Sequence, residues 1–234
     1  MNMTRWTLAA ALLAAPGTVA AQSQGGGEKA IGLVSKVVLD VARRTEQVDW
    51  SAARRGDILD AGNTIRTGER SLAVVKLKDN SLLRVRERTV VTFSGNSGSG
   101  GFQKGAELQG GVVGFNVSKQ RPGEEFRFLS PTSVASIRGT DGSFSNGDTA
   151  DVFTILTGLG RITHRRTMES ADVPAGFTAL AYENGTLLVR EATENERRDA
   201  SSAAGLTGTN RLLRFELKNP KGETRELVIE LNEQ

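Results

Sequence analysis

From Ile31 to about Val189 the chain consists of short β-branched and aliphatic runs separated by Gly, Asp and Asn. That is the pattern of many short strands joined by tight turns. The clearest unit runs from Ser71 to Thr92. Here Ala73, Val75 and Leu77 alternate with polar neighbours, and Leu83 and Val85 resume the alternation beyond Asp79-Asn80-Ser81. A loop of two residues would set Val75 against Arg84, so the apolar sets meet across a hairpin only with a loop of three. The expected register pairs Leu77 with Leu83 and Val75 with Val85. Asn80 tolerates the positive φ such a loop requires better than most residues do. The same alternation sends Lys76, Arg84 and Arg86, with Arg88 beyond, to the opposite face as a solvated basic stripe.

Downstream, Gly95 to Gly105 reads as a linker, and Glu107-Leu108 with Gly110 to Phe115 reads as a further hairpin. Strands follow at Glu125 to Leu129, Val134 to Ile137, Val152 to Leu156 and Arg161 to Thr163, and Asn184-Gly185 marks a hairpin within Ala179 to Val189. Turn glycines recur at Gly62, Gly68, Gly105, Gly111, Gly139, Gly142, Gly158 and Gly160 without a fixed period. The expected class is therefore all-β, with short strands and hairpins in a solenoid-like or sandwich arrangement; alternation alone does not separate the two. Residues 31–189 form the main β domain. Residues 190–205, rich in Glu, Arg, Asp and Ala and closed by Gly205, read as a short helix or linker. Residues 206–234 read as an amphipathic β-hairpin, with Leu213, Phe215 and Leu217 facing Leu227, Ile229 and Leu231 around Asn219-Pro220-Lys221-Gly222. Its apolar face needs cover from the main body or from a partner, because an isolated two-stranded ribbon is marginal in water.

The first segment has a different pattern. Arg5 precedes an apolar stretch from Trp6 to Ala15, then come Pro16, Gly17 and the small residues Val19-Ala20-Ala21. These are the three regions of a secretory signal peptide, residues 1–21, and the stretch falls well short of the about 20 apolar residues a span needs. Residues 22–30, with Gly25-Gly26-Gly27, are a flexible leader. The expected product is periplasmic or secreted, with no stable membrane anchor.

Composition narrows the chemistry. The 234 residues include no Cys and one His, which excludes a disulfide framework, a thiolate nucleophile and a multi-histidine metal site within one chain. No cofactor is expected. The 27 glycines agree with many turns, and a net charge of +3 is too small for a general nucleic-acid footprint.

Each polar motif carries a modest chemistry. His164, beside Arg165 and Arg166 at a strand end, reads as an exposed or partly packed side chain; no serine lies in a nucleophile-elbow pattern to use it as a base. The acidic pairs Asp57 with Asp60 and Glu124 with Glu125 could act on glycans, but turn capping accounts for them. Asn146-Gly147-Asp148 and Asp151 miss the calcium-loop spacing and read as a hairpin turn. Arg138-Gly139-Thr140 is a sharper candidate: the glycine permits a tight turn, Thr140 can bond the loop backbone, and Arg138 can tie neighbouring strands or meet a ligand. The candidate partner-binding residues are thus Lys76, Arg84, Arg86, Arg88 and Arg138, and the structural turn residues are Gly62, Gly68, Asn80, Gly139 and Thr140.

Four strings in order resemble one family. Gly56 to Gly68 with the run Leu72 to Val85, Gly105 to Val112, and Thr132 to Thr140 ending in Arg-Gly-Thr are similar to the FecR-type domain, with coverage from Ile31 to Thr163. The resemblance implies an all-β periplasmic module, best known from iron-uptake regulators that relay the state of an outer-membrane receptor to a cytoplasmic sigma factor. Those regulators carry a cytoplasmic helical segment and a single span, whereas here a signal peptide directly precedes the β domain. The expected function is a non-enzymatic protein-binding adaptor or regulatory element of the cell envelope, with the hairpin Leu212 to Leu231 and the basic stripe as docking features. The alternative is a module that binds an anionic wall polymer or polysaccharide through its basic face.

Overall fold

The computed structural model describes residues 30–98, 101–206, 211–218 and 224–231, with side chains over 30–95 and 104–206. The segments read as a signal peptide, as a leader up to residue 29 and as the turn Asn219 to Gly222 lie outside the described residues. The chain alternates between two layers. β1 (Ala30–Val38) lies in layer A, β2 (Val41–Arg44) and β3 (Ser51–Ala52) in layer B, β4 (Ile58–Asp60) in A and β5 (Thr64–Thr67) in B. Hairpins then alternate. β6 (Leu72–Leu77) and β7 (Leu82–Val85) belong to A, and β8 (Val90–Gly98) belongs to B; β9 (Gly101–Val117) starts in B and ends in A. β10 (Phe126–Leu129) and β11 (Ser133–Ile137) return to B, β12 (Thr140–Asn146) and β13 (Ala150–Thr157) to A, β14 (Leu159–His164) and β15 (Ser170–Pro174) to B, and β16 (Phe177–Tyr182) and β17 (Leu187–Glu191) to A. The helix α1 (Glu194–Ala204) follows, and β18 (Arg211–Lys218) pairs with β19 (Thr224–Leu231) in a separate two-stranded sheet.

Layer A therefore runs β4-β1-β6-β7-β9-β12-β13-β16-β17, and layer B runs β3-β2-β5-β8-β9-β10-β11-β14-β15. Among the described residues every strand pairing is antiparallel except β9 with β10. The chain winds along the stack hairpin by hairpin, as a solenoid does, and the two facing sheets bury one core between them, as a sandwich does. Buried phenylalanines join the layers: Phe128 of B lies 4.9 Å from Phe115 and 5.6 Å from Phe144, both of A. Aromatic pairs at such spacings add attraction beyond the area they bury.

Three readings of the sequence need correction. The β6–β7 loop has three residues, but it is Lys78-Asp79-Asn80, so Val75 pairs with Leu83 and Ala73 with Val85. The reason is Asn80 at φ 66°: in a three-residue loop the left-handed residue comes last, and Asp79 Oδ1 fixes the exit by accepting the Ser81 amide at 3.1 Å. The slip is by two residues, so the buried face keeps its residues. Gly95 to Gly105 is not a linker; β8 and β9 stay in register from Gly95 with Lys104 to Gly98 with Gly101. Backbone ladders need no side chains, and composition does not show them. Gly110 and Gly111 likewise do not turn a hairpin. They form a bulge inside β9, with φ 154° and 95°, where the strand crosses from layer B to layer A.

Within residues 190–205, Arg190 and Glu191 end β17 and Glu194–Ala204 form the helix. Thr193 and Glu196 form a capping box at its start, and Gly205 closes it at φ 67° with its N–H on Ser201 and Ser202 carbonyls. Buried Ala200, Ala203 and Ala204 face layer A, where the helix packs on β7, β9, β12 and β13. The floor under it is a cross-strand row, Arg84, Gly114, Ser143, Thr154, Thr178 and Arg190. Its middle members are small, so an alanine face can approach closely.

Candidate functional site

Consecutive positions on a strand point to opposite faces, so each layer has an inner face in the core and an outer face toward solvent. On the outer face of layer A the basic stripe is divided. Arg84 lies under the end of α1 and donates to Asn116 Oδ1; burial, with the Arg86 charge adding to it and Asp141 opposing, lowers its pKa from the ordinary arginine value. Lys76 is exposed and Arg86 half-buried. Arg88, in the turn after β7 at φ 51°, pairs with Glu69 at 2.5 Å, and that hydrogen bond raises its pKa. These four residues do not form one free basic surface.

Arg138 belongs to a different feature, on the outer face of layer B. Register aligns Arg127 of β10, Ser136 of β11, Arg161 of β14 and Asp172 of β15 in one row across four strands. Beside this row a groove of about 620 Å³ opens, walled by Glu125, Arg138, Gly139 and Leu159. Glu125, with little of its side chain exposed, takes Arg127 and also pairs with Arg138 at 3.6 Å. Arg161 Nε donates to Asp172 Oδ1 at 2.7 Å, and that bond lowers the Asp172 pKa and raises that of Arg161. Gly139, at φ 113° with the Lys119 backbone 3.0 Å from where a Cβ would stand, turns the chain at the rim. Thr140 Oγ1 donates to the Leu159 carbonyl at 3.2 Å and fixes the opposite rim. Gly62 turns between β4 and β5 at φ 88°, and Gly68 donates its N–H to the Asp40 carbonyl at 2.9 Å.

Sequence reading reached Arg138, Gly139 and Thr140 but not Arg127, Arg161, Asp172 or Leu159. Alternation within β10 and β14 places both arginines outward, yet only the β10-β11-β14-β15 order brings them together.

His164 is not exposed. It is 1% accessible, its Nε2 donates to the Tyr182 carbonyl at 2.8 Å, and its Nδ1 accepts the Arg166 amide at 3.1 Å. Nearby Asp151 is fully buried and takes the Ser130 and Ser133 hydroxyls and, at 2.8 Å, the Asn146 amide. Serine, aspartate and histidine thus stand close in the fold, but the carboxylate holds hydroxyls and the imidazole holds backbone. That is a structural clasp between turns, not a relay of base and nucleophile. Asp57 accepts the Arg54 amide at 2.8 Å and pairs with Arg43 at 3.1 Å, the capping role of a turn. Among the described residues no group of three His, Cys, Asp or Glu side chains could hold a metal ion.

Residues 63–165, from the start of β5 through β14, match the family described as FecR protein. That segment is similar to the FecR domain. Two crystal structures of a candidate anti-sigma factor from Parabacteroides distasonis ATCC 8503, at 1.65 and 2.50 Å, share the fold: TM-score 0.50 in both, 16% identity, and coverage of 68% of this chain and 69% and 68% of theirs. No curated protein matches the chain. The segment similar to the FecR family supplies all of the groove except Asp172, which β15 adds from outside it. Among the described residues no helix is long and apolar enough to cross a membrane.

Proposed function

We propose that this chain is exported and acts, without catalysis, as a protein-binding adaptor or regulatory element of the cell envelope, presenting the outer face of layer B to its partner. The observation that supports this reading is an asymmetry between the layers. The outer face of A carries the chain's own helix, while the outer face of B carries a charged groove. Similarity to the FecR domain fits a regulatory, envelope-related module, and the fold's likeness to a candidate anti-sigma factor agrees with that. Three guanidinium groups, two carboxylates and Leu159, 56% accessible at the rim, suit a polypeptide of mixed charge better than a uniform polyanion.

Photo-crosslinking in cells from position 159 tests the proposal, with the same probe at Glu194 on the exposed first turn of α1 as control. One envelope protein enriched at 159 and absent at 194 supports it; equal background at both sites overturns it. The exported protein should have the mass of a chain starting at Gln22, and finding the intact 25.0 kDa chain in the membrane would refute export in soluble form.

A further inference from the structure

Alternation along β2 separates two adjacent arginines. Arg43 turns toward the rim of layer A, where its Nε lies 3.1 Å from Asp57. Arg44 turns outward on layer B. Because Arg44 pairs with Thr64 and Ala42 with Arg66, Arg44 and Arg66 are diagonal neighbours on one outer face. Both guanidinium groups lie over the ring of half-buried Trp50, with their central carbons 5.1 and 4.5 Å from its centroid. Each contact is within cation–π range.

Two like charges are thus held on one indole, and among the described residues no ion pair uses either of them. Glu46 and Asp49 are exposed on the intervening loop and are not ion-paired with them. The ring attraction holds the arginines together against their mutual repulsion. Among the described residues no side-chain hydrogen bond or ion pair engages the N–H groups of either guanidinium. Those groups are the part of a guanidinium that binds oxyanions bidentately.

We propose that Arg44, Arg66 and Trp50 form a binding site for a phosphate group. A carboxylate spends both its oxygens on a single fork, whereas a phosphate has oxygens for two forks at once. Free phosphate and a phospholipid headgroup present the same chemistry. This site lies at the opposite end of layer B from the Arg138 groove and does not depend on it.

The chain's two tryptophans are Trp6 and Trp50, so W6F leaves Trp50 as its own reporter. The W6F chain is titrated with inorganic phosphate and, separately, with phosphatidylglycerol vesicles, at constant ionic strength with sodium acetate as control. The expected result is a saturable change in Trp50 emission that is weakened at least about tenfold, or about 1.4 kcal/mol, in R44Q and R66Q with unchanged circular dichroism. A response to inorganic phosphate supports the proposal and assigns the free anion as source, while a response to vesicles alone supports it and assigns the headgroup. No saturable response to either probe, an equal response to acetate, or wild-type affinity in both glutamine variants overturns it.

Discussion

The Ala203 carbonyl oxygen of α1 lies 2.0 Å from where a Cβ on Gly114 of β9 would stand. Both groups are backbone, so neither can rotate away, and the helix rests on layer A only because position 114 has no side chain. Gly114→Ala should therefore lift α1 and re-expose Ala200, Ala203 and Ala204, costing about 2 kcal/mol in the range typical of overpacking. Gly147→Ala, where the nearest atom is 3.5 Å away, is the control and should be near neutral. Urea unfolding of the two variants checks this; equal midpoints would mean the helix does not rest on the sheet this way.

The other end of α1 is held electrostatically. Arg190 of β17 donates Nη1 and Nη2 to the two Glu196 oxygens at 2.8 and 2.7 Å, and Thr193 adds backbone and hydroxyl bonds. The Arg190 bonds first, then those from Thr193, outweigh desolvation and lower the Glu196 pKa from 4.5 to about 2. A depressed folded-state pKa contributes stability that is fully present above the unfolded value and lost as pH falls through the folded one. The stability gap between wild type and E196Q should be about 1 kcal/mol near pH 6, since the pair touches solvent. It should shrink as pH falls from 4.5 toward 2. A gap independent of pH across that window would assign the effect to the cap alone.

How much of this was legible depended on range. Period-two alternation placed Ala73, Val75, Leu77, Leu83 and Val85 on one buried face despite a register slip, because a slip of two residues leaves faces unchanged. β12, where sequence reading named Gly142 only as a turn glycine and listed no strand, is a central strand because β9 and β13 flank it. Pairing partners supplied what propensity lacked. The Arg138 turn was visible as a motif. The groove around it was not, since Arg127, Arg161 and Asp172 meet through strand order alone. The burial of His164 was equally hidden: its partners are backbone groups of Tyr182 and Arg166, which leave no trace in residue identity.

A buried lysine ties the two layers near the β6–β7 loop. Lys104 of β9, 7% accessible, meets Asp79 at 2.6 Å, and Gln120 donates to the same carboxylate at 2.8 Å. Burial alone would raise the Asp79 pKa, but the Lys104, Gln120 and Ser81 hydrogen bonds and the Lys104 charge bring it below the ordinary 3.8. Lys104→Met should leave that carboxylate without its cation and cost about 2 kcal/mol. The loss should ease in acid, where protonating Asp79 removes the uncompensated charge. A penalty that holds from neutral pH to below 3.8 would mean that methionine packing, not the charge, is at fault.

Arg138 separates recognition from stability. Its side chain is 62% exposed, its contact with Glu125 is long at 3.6 Å, and Glu125 keeps Arg127 when Arg138 is removed. Arg138→Ala should thus change stability by no more than about 0.5 kcal/mol. Its guanidinium stands at the mouth of the groove, so the same variant should reduce partner crosslinking from position 159 at least about tenfold, an interfacial loss near 1.4 kcal/mol. Glu125→Gln is the complement, because it weakens the hold on Arg127 and Arg138 together and should lower both stability and capture. If Arg138→Ala unfolds at the wild-type midpoint and still captures the partner fully, the groove is ordinary solvated surface and the partner docks elsewhere.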